Sequence, residues 1–158
     1  MSIKDRPTEL TSLPDDLPPN VAAQIKKMSP ASALLGLEVV GCDAEKGIVD
    51  QAFTTTDQLC NKWGGLHGGM VAAMLDDVMA LCAGLTVEWG QIVPTMEMKA
   101  NYIGPGRPGR LTARAETVRR GKSVIFIECG LWNEDGSLVA TATSTFTVVT
   151  LKKKDAKK

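Results

Sequence analysis

The stretch from Met70 to Leu85 restricts the possible folds more than any other part of this chain. Methionine, alanine, leucine and valine dominate it, and these residues favour helix over residues 69–84, with Gly84 available as a C-cap. A helix that is apolar nearly all round has to be enclosed by other parts of the fold. Asp76 and Asp77 interrupt the stretch, which is too short and too charged to be expected to span a membrane. The remaining chain is therefore expected to build a wall around this helix.

Six strand-like runs can form that wall. Residues 34–53 read as two strands: Leu35, Leu37 and Val39 alternate, Gly41 to Gly47 turn, and residues 48–54 return. After the helix come runs at 92–103, 110–119, 122–132 and 138–151, separated by turn-like 104–109, Arg120-Gly121 and 133–137. Short turns between successive strands imply an antiparallel meander. The expectation is an α+β architecture in which a curved antiparallel sheet wraps around one long central helix. Residues 1–19 lack periodicity and read as a mobile arm. Residues 20–151 form a single domain, opened by a short helix that Asn20 caps and Ser29-Pro30 ends, with Val21, Ile25 and Met28 on one side. Residues 152–158 are a charged tail.

Charge and cysteine usage narrow the function classes. Eighteen basic and 18 acidic residues cancel, which argues against a nucleic-acid partner. Cys42, Cys60, Cys82 and Cys129 form no CxxC pair and there is one histidine, so no zinc-site spacing exists. The N-terminus has no apolar signal-peptide core. Reduced thiols in the cytoplasm, no metal and no membrane are the expectations. No Gly-x-Ser-x-Gly elbow is present for serine catalysis.

Chemistry concentrates in residues 60–77: Asn61, Gly64, then His67-Gly68-Gly69, then a helix carrying Asp76 nine residues after the histidine. This pattern resembles the hotdog-fold acyl-CoA thioesterases of the phenylacetate-degradation (PaaI-like) type, and the order of elements matches over roughly residues 30–150. The resemblance implies the hotdog fold and hydrolysis of a CoA thioester to free acid and CoA, without a cofactor. It implies that Asp76 acts as general base or nucleophile, that the Gly68 backbone N–H polarises the carbonyl, and that Asn61 orients the water or thioester. It gives His67 a role at the helix entry, and Thr95 the place of a Ser or Thr that holds the water.

The residues support those roles on physical grounds. Gly68 and Gly69 open a helix, where backbone N–H groups lack intrahelical acceptors and the dipole favours negative charge. That suits a carbonyl oxygen that becomes anionic during attack. A carboxylate inside an apolar helix costs several kcal/mol unless partnered, which suggests a use for Asp76. Gly68 and Asp76 are eight residues apart on one helix, about 12 Å along its axis. Reacting groups must approach within roughly 3–3.5 Å. One chain therefore cannot bring both to one carbonyl, whereas two antiparallel helices across a twofold axis can. A homodimer with two composite sites follows, and a dimer of dimers is the family's habit.

Gly69, Trp63, Met70 and Met74 are candidate lining for the acyl pocket, and Arg120, Gly121 and Lys122, with Arg107, are candidate contacts for the CoA phosphates. Asp77 is expected to pair with a neighbour or face a cavity, and Cys60 and Cys82 to be inert buried thiols. The competing function is a non-catalytic acyl-CoA binding or sensing protein of the same fold. A hydratase of this fold is disfavoured because the only histidine precedes the helix.

Overall fold

The computed structural model describes residues 5–17 and 19–151; the tail at 152–158 lies outside them. The elements run α1 (Pro19–Lys26), α2 (Pro30–Leu34), β1 (Leu37–Asp43), β2 (Ile48–Thr55), a 3₁₀ turn (Asp57–Leu59), α3 (Gly68–Leu85), β3 (Gln91–Ile92), β4 (Thr95–Tyr102), β5 (Gly109–Arg120), β6 (Val124–Asn133), β7 (Leu138–Thr147) and β8 (Val149–Thr150). Six strands form one curved antiparallel sheet in the order β1-β2-β5-β6-β7-β4, and β3 pairs with β8 apart from it. α3 lies against the sheet's concave face. This is the expected helix enclosed by a sheet.

Register explains how one sheet holds so apolar a helix. Side chains alternate along a strand, so cross-strand partners share a face. Ala113 is paired with Gln51 and Leu131, Ala115 with Val49 and Cys129, and Ala140 and Ala142 continue the rows on β7. The buried apolar members of these rows pack with Val71, Met74, Leu75, Val78 and Met79 of α3 in one core. Small side chains in the middle of the concave face leave room for the bulky ones on the helix. α3 is long and apolar enough, by length and composition, to cross a membrane, which corrects the sequence expectation. Here its apolar side chains fill the domain core instead.

Several local expectations change. Asn20 falls inside α1, which begins at Pro19. Ser29-Pro30 starts a second helix as well as stopping the first. The Ser29 hydroxyl accepts from the Ser32 N–H at 3.0 Å, and proline is tolerated in a first helical turn because its missing N–H is not needed there. Gly84 lies inside α3 rather than capping it; the cap is Thr86, whose N–H and hydroxyl both donate to the Ala83 carbonyl. The run at 92–103 divides at Val93-Pro94, where proline has no N–H for a ladder. The meander holds for β5-β6-β7 only, since β4 crosses to the far edge and pairs with β7.

Residues 9–11 of the N-terminal segment lie against the convex face. There Asp50 and Arg114 form a buried two-pronged ion pair, with Nε to Oδ1 and Nη2 to Oδ2 both at 2.7 Å. Thr11 donates its N–H and hydroxyl to Asp50 Oδ2 at 2.6 and 2.8 Å, and Arg114 Nη2 donates to the Glu9 carbonyl. Gly41 lets the arm approach: a Cβ there would lie 2.1 Å from the Thr11 carbonyl oxygen. Since Asp50 is fully buried, removing its partner strands a charge. Arg114→Met is expected to lose about 3–5 kcal/mol in urea unfolding, with Asp50→Asn/Arg114→Met recovering part of it. A single variant as stable as wild type would contradict this.

Candidate active site

The loop before α3 is a closed turn. Cys60 and Leu66 form a bridge, Asn61 N–H donates to the Gly65 carbonyl at 2.8 Å, and Gly64 adopts φ +83°, a conformation that favours glycine. The Asn61 side chain clamps the turn from within: Oδ1 accepts from the Trp63 N–H at 2.9 Å, and Nδ2 makes a long contact, 3.4 Å, to the Leu66 carbonyl. Its carboxamide oxygen is thus held by one donor, and Nδ2, with two hydrogens and one long contact, keeps a donor for a ligand. Leu66 N–H donates to Gly106 and His67 N–H to Leu59, which ties the helix entry to the neighbouring loops.

His67 is the N-cap of α3, and its Nδ1 accepts from the Gly69 N–H at 3.0 Å. An accepting Nδ1 carries no proton, so the neutral ring is the Nε2–H tautomer with that donor facing away from the cap. This bond also separates the two glycines. The Gly69 N–H is consumed, whereas the Gly68 N–H has no acceptor among the described residues. Tyr102, on the edge strand β4, donates its hydroxyl to the Gly68 carbonyl at 3.0 Å and so fixes the first peptide of the helix. That its hydroxyl reaches the helix entry depends on the crossover of β4 to the far edge of the sheet.

Asp76 is half-exposed rather than enclosed, and its Oδ1 accepts from the Thr95 hydroxyl at 2.9 Å. The structure thus joins Asp76 and Thr95, on α3 and β4, and separately joins His67, Gly68, Gly69 and Asn61 at the helix entry. Asp77 has the pairing expected of it. Ser32 Oγ donates to its Oδ2 at 2.6 Å. Burial pushes the Asp77 carboxyl above the usual carboxylate range, against hydrogen bonds from Ser32 and Gln51 that pull it down, and the nearby Asp76 charge adds to the rise.

The expected substrate contacts fare unevenly. Met74 is fully buried in the core, a correction to the sequence expectation of pocket lining. Met70 is half-buried against that core. Trp63 is 80% exposed with Lys62 Nζ 4.5 Å from its ring centre. Arg120 Nε donates to the Thr86 carbonyl and Gly121 N–H closes the turn on Val124, with Lys122 beside them. That places the basic turn at the C-terminal end of α3, about 27 Å along the axis from Gly68. Arg107 is paired with Asp135. Of the thiols, burial pushes Cys82 up to about 12, as an inert thiol requires, while Cys60 is only half-buried.

A thioesterase superfamily model matches residues 64–140. The medium/long-chain acyl-CoA thioesterase YigI of Salmonella typhimurium is 31% identical over 134 residues, covering 75% of this chain and 85% of its own. A Ralstonia eutropha thioesterase-type protein described as phenylacetic acid degradation-related superposes with TM-score 0.75 at 33% identity, over 81% of this chain and 98% of its own. A Streptococcus mutans protein solved with bound acetyl CoA superposes with TM-score 0.66 at 25% identity, over 74% and 91%.

His67 is the only histidine, so nitrogen NMR reads it without assignment. The neutral ring should show a bare Nδ1 and a protonated Nε2. A protonated Nδ1 in the neutral ring would remove the capping bond and, with it, the distinction between the Gly68 and Gly69 amides.

Proposed function

The chain belongs to the thioesterase superfamily, as a hotdog-fold thioester hydrolase of the PaaI-like type, and from that membership we propose that it hydrolyses acyl-CoA thioesters at a site shared by two subunits. The observation that carries this reading is the free Gly68 N–H at the start of α3, on the same helix as a carboxylate held by Thr95. Gly68 of one protomer binds the thioester oxygen, where the helix dipole adds to the stabilisation of developing negative charge. Asp76 of the other protomer, oriented by Thr95, takes a proton from water as its oxygen attacks the carbonyl carbon. The C–S bond then breaks, and the CoA sulfur leaves as thiolate and is reprotonated. The alternative, attack by the Asp76 carboxylate itself through a mixed anhydride, uses the same geometry.

Two features support the shared site. β4 is a sheet edge whose Met96, Tyr102 and neighbouring Ile103 are exposed, a strand open to pairing with a second copy. The face of α3 that the sheet leaves uncovered carries Gly69, Ala73, Asp76 and Ala80, small enough for two helices to meet closely. Antiparallel packing would also bring the partner's C-terminal helix end, with its basic turn, toward Gly68, where CoA phosphates could be met. The free thiols suit a reducing cytoplasm, which is part of the proposal.

Release of CoA thiol from a panel of acyl-CoAs tests the reading. Asp76→Asn, nearly isosteric and unable to act as base or nucleophile, should lose about a hundredfold or more in kcat. Equal turnover by both proteins would remove Asp76 from the chemistry. Binding without turnover across the panel would favour a sensor of acyl-CoA. Dilution to a monomer, verified by sedimentation, should abolish turnover per chain; a monomer at full rate would refute the shared site.

A further inference from the structure

Two consecutive glycines open α3, and the broad backbone freedom of glycine makes this the part of the site most in need of outside support. The peptide between His67 and Gly68 is the one whose N–H is free. Its carbonyl accepts from the Met70 N–H at 2.8 Å and the Val71 N–H at 3.1 Å, bonds that polarise the N–H at its other edge. The next peptide, between Gly68 and Gly69, is bonded at both edges. Its N–H donates to His67 Nδ1 and its carbonyl accepts from the Tyr102 hydroxyl, each at 3.0 Å.

Of the groups bonded to these two peptides, only Tyr102 belongs neither to α3 nor to its cap. His67, Met70 and Val71 move wherever the helix entry moves. Tyr102 is anchored in the sheet instead. It pairs with Ala140 of β7, and the N–H groups of Ile103 and Gly104 both donate to the Val139 carbonyl, at 2.8 and 3.1 Å. Thr95 and Tyr102 are the first and last residues of β4. One hydroxyl holds the Asp76 carboxylate and the other holds the peptide next to the free N–H, so a single strand supports both groups the proposed reaction uses.

We infer that Tyr102 is a positioning residue for the thioester carbonyl; the inference rests on the thioesterase reading above. Through its hydroxyl the sheet holds the Gly68–Gly69 peptide, and with it the direction of the Gly68 N–H. An oxyanion donor stabilises charge because it is oriented before the reaction begins, and small misplacements of such groups are costly in rate.

Tyr102→Phe removes the hydroxyl and keeps the ring. Release of CoA thiol by this variant should fall about tenfold in kcat, with KM for the same ester within about twofold of wild type. A purely structural role is separated by repeating the substitution in Gly68→Pro, which has no N–H at residue 68 to position. There Tyr102→Phe should cost nothing further. Wild-type kcat in Tyr102→Phe, or an equal loss in both backgrounds, overturns the inference. If wild type turns over no acyl-CoA, the hydrolase reading fails separately, and nitrogen relaxation of glycine-labelled protein decides the positioning. The Gly68 amide should have an order parameter of about 0.85 in wild type and below about 0.6 in Tyr102→Phe. That fall supports the positioning of this amide, and equal values in the two proteins overturn it.

Discussion

The contact between α3 and the concave face of the sheet sets the rest of this structure. A single sheet curving around a cylinder can cover only part of it, so an apolar helix in this fold keeps one uncovered stripe. Val71, Met74, Leu75, Val78 and Met79 turn toward Ala113, Ala115, Cys129, Ala140 and Ala142 in the shared core. Gly69, Ala73, Asp76, Asp77 and Ala80 are left partly or fully exposed. These positions recur at helical spacing along one face, which is why glycine, alanine and aspartate occur there within an otherwise bulky apolar segment.

That stripe separates two chemical positions along one rigid element. At its start, His67 occupies one of the first two amides and leaves the other open, while Tyr102 holds the adjoining peptide. Two turns further on, Asp76 is held by Thr95 from the neighbouring edge strand. A helix cannot bend to bring them together, so the distance between them becomes an argument about assembly. The next residue, Asp77, turns away from this pair toward Ser32 and the cavity under the N-terminal helices. Two adjacent carboxylates thus face two environments, one beside the edge strand and one under the N-terminal helices.

Much of this was legible in the sequence because the signals are local. Composition marked α3, alternation marked the strands, and the spacing from Asn61 to Asp76 marked the helix entry and the carboxylate. What escaped depends on long-range pairing. The crossover of β4 to the far edge of the sheet brings Thr95 and Tyr102 to α3, and no turn residue in 104–109 announces it. Met74 reads as adaptable pocket lining until its face is known; it points into the core. Ser29-Pro30 reads equally as a stop and a start. The arm reads as unstructured because its anchor, the Asp50–Arg114 pair, joins strands 64 positions apart in sequence.

The central claim is that one protomer supplies the oxyanion donor and the other the carboxylate, and subunit complementation tests it most directly. Gly68→Pro deletes the free N–H at a position where proline suits a helix start. His67 already has the extended backbone, φ −65° and ψ 133°, that a following proline requires. The nearest atoms of other elements to a Cβ at residue 68 are those of the Tyr102 ring, at 3.6 Å or more. Gly68→Pro and Asp76→Asn chains are purified separately, unfolded and refolded together. Shared sites predict that two nearly inactive proteins recover about a quarter of wild-type turnover, since random pairing gives half the dimers one intact site of two. Recovery no greater than the sum of the separate variants, with mixed dimers demonstrated in solution, would mean that each chain carries its own site and would contradict the account.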